Sequence, residues 1–107
     1  MAALFVYSTV LQADSIDKGV ISNVATVKSV AEMKDDSKVK LEGYIIKKLG
    51  SEHFLFKDAT GRIEIEIDDE DLGKIMIKPE IKIRIIGEVD KDSASTTIDV
   101  DYLEVVR

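Results

Sequence analysis

The side chains best placed to do chemistry in this chain are carboxylates. Glu64, Glu66 and Asp68 alternate with Ile63, Ile65 and Ile67, which makes one face of an extended segment acidic and the other apolar. Asp90 and Asp92, then Asp99 and Asp101, repeat the same grammar further along. Carboxylates carried on a rigid sheet attract cations and steer their approach, so the chemistry expected of them is recognition of positive charge. Specific metal binding needs several oxygens converging on one ion. The run Asp68-Asp69-Glu70-Asp71 has no turn to converge it and no central glycine of a calcium loop. Asp90 and Asp92 open a DxD, but Ala94 and Ser95 stand where a further ligand and a glycine are wanted. Both clusters therefore read as solvated acid, and neither a metal nor a cofactor is expected.

The remaining reactive types are few. His53 is the one histidine, and its neighbours Glu52 and Phe54 fall on the other side of the strand, which makes it a surface histidine rather than a general base. Cysteine is absent, which excludes disulfides, thiolate nucleophiles and cysteine-bound metals. No phosphate-cradling glycine loop or nucleophile elbow occurs, so catalysis is not expected. The formal charge of −6 and the interleaving of lysines with more numerous acids argue against a phosphate backbone as ligand. Among the aromatics, Phe54 and Phe56 share parity and belong in the core, whereas Tyr44 points outward and could help hold a ligand.

The elements that must position these residues follow from periodicity. A chain of 107 residues with 45% hydrophobic content supports one domain with a real core. Thr26 caps a short helix whose stripe runs through Val27, Val30, Ala31, Met33 and Lys34, and Asp35-Asp36-Ser37 stops it. From Lys38 the period becomes two, giving a long first strand with a bend or bulge at Gly43. His53–Lys57 is the second strand and Asp58-Ala59-Thr60-Gly61 its turn, with Gly61 supplying an unusual backbone conformation. The third strand runs through Ile63, Ile65 and Ile67, with Glu64, Glu66 and Asp68 outward. A helical turn near 68–73 and Pro79 mark the connection to a fourth strand from Ile81 to Val89. Asp90-Lys91-Asp92-Ser93-Ala94-Ser95 is a polar loop, and the fifth strand begins at Ile98 with a slip of parity near Tyr102-Leu103. This is a mainly β chain: a five-stranded Greek-key barrel of the OB type, over residues 26–107, with a short N-terminal helix and a short helical turn between strands three and four.

Residues 1–13 carry no charged side chain and fit the apolar region of an export signal, too short to span a bilayer; a first strand is the other reading. Residues 14–25 form an extended lead-in.

The run Phe56-Lys57-Asp58-Ala59-Thr60-Gly61, the strand Ile65-Glu66-Ile67-Asp68, the segment Gly87-Glu88-Val89-Asp90-Lys91-Asp92 and Ile98-Asp99-Val100-Asp101 together resemble the bacterial periplasmic OB-fold family. The resemblance covers about Thr26 to Val106. It implies an OB barrel, export to the periplasm, a part in envelope stress tolerance and a binding role without catalysis. It also favours reading 1–13 as a truncated signal segment. The family usually carries a tryptophan between strands three and four; here Leu72 lies near that place, so no role is borrowed from it. The expected partners are a cationic small molecule or peptide, or an envelope protein, bound by a monomer through Tyr44, Glu64, Glu66, Asp68, Asp90 and Asp92. A single-stranded nucleic acid, or an adaptor role through a sheet edge, is the alternative.

Overall fold

The computed structural model describes residues 23–73 and 75–107. The segment 1–13 and most of the lead-in 14–25 lie outside them. Helix α1 (Val27–Val30) is followed by β1 (Lys38–Lys48), β2 (His53–Asp58), β3 (Gly61–Glu66), helix α2 (Asp69–Leu72), β4 (Ile83–Lys91) and β5 (Thr96–Val105). The strands close into a barrel in the order β1-β2-β3-β5-β4, with β3 and β5 parallel and every other pair antiparallel. Closure leaves no long free sheet edge on most of the barrel.

The core is what period-two burial predicts. Val39, Leu41 and Ile45 of β1, Phe54 and Phe56 of β2, Ile65 of β3, Ile83, Ile85 and Val89 of β4 and Ile98, Val100 and Leu103 of β5 all point inward and are buried. Each such side chain contributes about 1.5–3 kcal/mol relative to leaving it in water.

β1 serves both halves of the barrel. Its first half pairs with β4 from Lys38 to Gly43, and its second half pairs with β2 from Tyr44 to Lys48. Gly43 is the hand-over point, where any Cβ would run into the Lys57 carbonyl and sit 3.0 Å from the Phe56 ring. The irregularity itself lies further on: pairing with β2 slips between Ile45 and Lys47, making Ile46 the bulged residue. The parity slip in β5 is a bulge too. Ile86 faces Tyr102 but Gly87 faces Val100, so Asp101 is the extra residue.

Further expectations need correcting, among them the start of the fourth strand, which is Ile83 rather than Ile81. Helix α1 is one turn, with Ala31 as its C-cap, so Met33 and Lys34 lie beyond it. Gly61 does not take a left-handed conformation; the Asp58 side chain shapes that turn instead, accepting from the Thr60 and Gly61 backbone N–H groups at 2.7 and 3.2 Å. β3 ends at Glu66, so Asp68 lies beyond the strand, extended, as the N-cap of α2. Asp90 and Lys91 belong to β4, not to the loop, since the ladder with β5 continues to Lys91 opposite Thr96.

Candidate functional site

Strand register turns the alternating acids into rows. His53 on β2 faces Glu66 on β3, Glu66 faces Asp99 on β5, Asp99 faces Glu88 on β4, and Glu88 faces Lys38 on β1. Three carboxylates thus lie side by side across three strands, with a histidine at one end and a lysine at the other. Adjacent strands are about 4.8 Å apart, so these charges repel one another. The consequence appears at Asp99, whose carboxyl is held above its ordinary pKa by burial and then by Glu66, Asp101, Asp68 and Glu88. A second row lies beside the first: Leu55, Glu64, Thr97 and Asp90.

Compensation is partial. Lys38 Nζ sits 2.8 Å from Glu88 Oε2 and 3.6 Å from Asp101 Oδ2, and more than half of its side chain is exposed. Pairs exposed to this degree contribute little to stability. His53 Nδ1 lies 2.7 Å from Glu64 Oε2, a diagonal contact between neighbouring strands. A different row is bridged by a cation: Arg84 donates from Nε to Glu42 at 2.7 Å and from Nη1 to Glu104 at 2.6 Å.

The expected site residues therefore fall into three groups. Glu64, Glu66 and Asp90 share the outer face of β3, β5 and β4, and Asp68 stands close enough to act on Asp99. Asp92 builds the β4–β5 turn, accepting at Oδ1 from the N–H groups of Ala94 and Ser95, each at 2.8 Å, and these bonds hold its carboxyl below the usual range. Tyr44 is apart from that face. Its lateral neighbours are Lys57 on β2 and, beyond it, Arg62 on β3. Charges that interleave along the sequence are thus segregated in space. Glu88 was not among the expected residues; outward parity could have nominated it, but its place beside Asp99 depends on the β4–β5 register. Among the described residues, no three acids or histidines are arranged to hold a metal ion, because a sheet keeps outward carboxylates parallel rather than convergent.

A small five-stranded barrel with an acidic outer face and a helical turn after β3 is an OB-fold protein. The profile of the bacterial OB fold (BOF) proteins matches residues 8–105, and the chain belongs to that family. It is 38% identical over 108 aligned positions to the calcium-regulated OB-fold protein CarO of Pseudomonas aeruginosa, a match spanning 100% of this chain and 93% of CarO. Protein YgiW of Escherichia coli is 36% identical over 85 residues, 79% of this chain and 65% of YgiW. The solved structure of YgiW superposes with a TM-score of 0.77, covering 79% of this chain and 91% of that one. The telomere capping protein Ten1 from Saccharomyces pombe, at 14% identity and a TM-score of 0.63 over 79% of this chain and 81% of its own, shares the fold alone.

Proposed function

We propose that this chain is an exported, non-catalytic binding protein of the bacterial envelope, acting as a monomer in the periplasm and in stress tolerance. Its ligand is a cationic small molecule, peptide or envelope-protein segment, held on the face formed by β3, β5 and β4. The observation that carries this reading is the Glu66–Asp99–Glu88 row, in which burial and then the neighbouring carboxylates raise Asp99 above its ordinary pKa. A face whose own carboxylates oppose one another gains when a cation approaches, and that gain is long-ranged at low salt. Glu64 and Asp90 extend the same field, while Asp68 borders it. Tyr44 and Asp92 drop out of the contact set on this reading. The envelope setting is what the resemblance read from the sequence implies. No described helix is long and apolar enough to cross a membrane.

The test is an NMR titration of the full chain with oligolysine, repeated on Glu64→Gln/Glu66→Gln. Saturable shifts at Glu66, Asp99 and Glu88, weakened at least about tenfold by the double substitution and by raised salt, would support the face. Binding that ignores both changes would remove these residues from the reading.

A further inference from the structure

The second half of β1 has a partner on one edge only. Its pairing with β4 stops at Gly43 opposite Ile83, yet β1 runs on to Lys48, paired there with β2 alone. The chain that passes on the other side, residues 75–82, makes no backbone hydrogen bond to β1 among the described residues. Between the two lies a cleft of about 380 Å³. Backbone groups of a strand alternate between its edges, so this stretch offers a short row of uncommitted N–H and C=O groups to whatever enters.

The walls describe the entrant. Ile46, Phe54, Leu72, Ile75, Ile77 and Pro79 make the cleft apolar. Lysines rim it: Lys47, Lys48 and Lys78. None of the three forms an ion pair with a described residue, although Lys48 Nζ lies 5.9 Å from the centre of the Phe54 ring. A neighbouring hollow shares Ile46 and Pro79 and adds Tyr44, Lys57, Asp58 and Ala59, so the apolar lining continues over the outer face while its charge there is mixed. On a chain of net charge −6 this is a local reversal of sign.

We propose that the Tyr44–Lys48 edge of β1 accepts an extended segment of a partner protein as an added strand, one whose side chains alternate between apolar and acidic. The apolar set enters the cleft and the acidic set meets the lysines, while the main chain completes the ladder that β4 leaves unfinished. This is strand addition, in which backbone bonds give affinity and alternate side chains give specificity. A stretch of this length spans roughly 13–16 Å, enough for about four or five residues of partner. A nucleic acid or an anionic lipid would satisfy the lysines but not the open backbone edge. The site is independent of the acidic face and opposite to it in charge.

The experiment follows backbone amides of the full chain by NMR while a soluble peptide of alternating valine and glutamate is added. Two variants of that peptide are N-methylated at alternate residues, one set even and one set odd, because only one set can turn its N–H groups toward β1. Expected are saturable shifts at Ile45–Lys48 and Ile75–Ile77, slowed amide exchange along Ile45–Lys48, and a loss of at least tenfold in affinity for one methylated set alone. Lys47→Glu/Lys48→Glu should weaken the peptide, and Glu64→Gln/Glu66→Gln should not. Equal affinity of the two methylated sets, equal binding of oligoglutamate or of oligothymidylate at the same residues, or no saturable shift there would each overturn the proposal.

Discussion

Asp58 holds helix α1 onto the barrel, and removing its carboxylate should cost more than any other single polar change on this surface. Oδ2 accepts from the Val27 N–H at 2.9 Å, and Oδ1 accepts from Thr60 N–H at 2.7 Å, Thr60 Oγ1–H at 2.6 Å and Gly61 N–H at 3.2 Å. Thr60 Oγ1 in turn accepts from Lys28 N–H at 3.0 Å, and Thr26 Oγ1 accepts from Ser29 N–H at 3.2 Å. The first three donors of a one-turn helix are therefore satisfied by side chains, two of them from the β2–β3 turn. Bonds to a charged acceptor are worth about 1.5–3 kcal/mol each when buried, and less at a half-exposed site where water replaces part of them. Asp58→Ala should thus lose about 2–3 kcal/mol, a fall in Tm of roughly 10–20 °C. Asp58→Asn keeps an oxygen for the turn but not a second acceptor for Val27, and should lose about 1 kcal/mol. Burial pushes the Asp58 carboxyl up, but the bonds from Thr60, Val27 and Gly61 outweigh it and hold the pKa below 3.8. A carboxylate depressed in the fold stabilises above its unfolded pKa, and that contribution is lost as pH falls from about 4 through the folded value. Urea denaturation at neutral pH and again below pH 4 measures both effects. An Asp58→Ala protein within 0.5 kcal/mol of the parent, or an Asp58→Asn deficit that does not shrink in acid, would refute the reasoning.

Asp99 has the opposite sign. Its carboxyl is raised, so its ionised form opposes folding above the unfolded pKa and the opposition fades as pH falls; Asp99→Asn should stabilise slightly at neutral pH, by less than about 0.5 kcal/mol, and the gain should shrink in high salt, which screens the neighbouring carboxylates but not burial, when measured by thermal unfolding. Gly43→Ala would press a Cβ onto the Lys57 carbonyl, a backbone atom that cannot move aside, and should cost at least about 2 kcal/mol in urea denaturation. Asp36 sits at φ 70°, a left-handed position; Asp36→Val should cost about 1–2 kcal/mol, whereas Asp36→Gly should be tolerated, both read from the denaturation midpoint. Phe56 is fully buried, and Phe56→Ala should lose about 3–5 kcal/mol, enough to unfold much of the protein as seen by circular dichroism.

What the sequence discloses here is set by the range of each interaction. Inward residues of the strands were legible because burial alternates with the pleat, and Val39, Leu41, Ile65 and Ile98 obey it. The bulge in β5 was legible as well, since Val100 and Leu103 cannot both face inward without an extra residue between them. The contact of His53 with Glu64 was also within reach, because the tight Asp58–Gly61 turn fixes the β2–β3 register when counted backwards. Other features depend on partners far along the chain. Nothing local places β3 parallel to β5, and that pairing puts Glu66 beside Asp99. Nor does Gly61 betray that its turn is shaped by Asp58, or Tyr44 that its neighbours are basic. Glycine type suggested a backbone role at Gly61 that tertiary context gave to Asp58.

The two surfaces have a single topological cause. This barrel closes through β1, whose first half pairs with β4 and whose second half pairs with β2. Sharing brings β4 against β5 and β5 against β3, which stacks outward acids from three strands with few cations between them. It also strands the second half of β1 beyond the end of β4, where the connection from α2 must pass without pairing. Acids collect where the sheet is continuous, and lysines and apolar side chains collect where it is interrupted. The first arrangement offers charge without backbone, and the second offers backbone with charge of the opposite sign. A ligand suited to one is repelled or left unpaired by the other, so each surface can be altered without disturbing its counterpart.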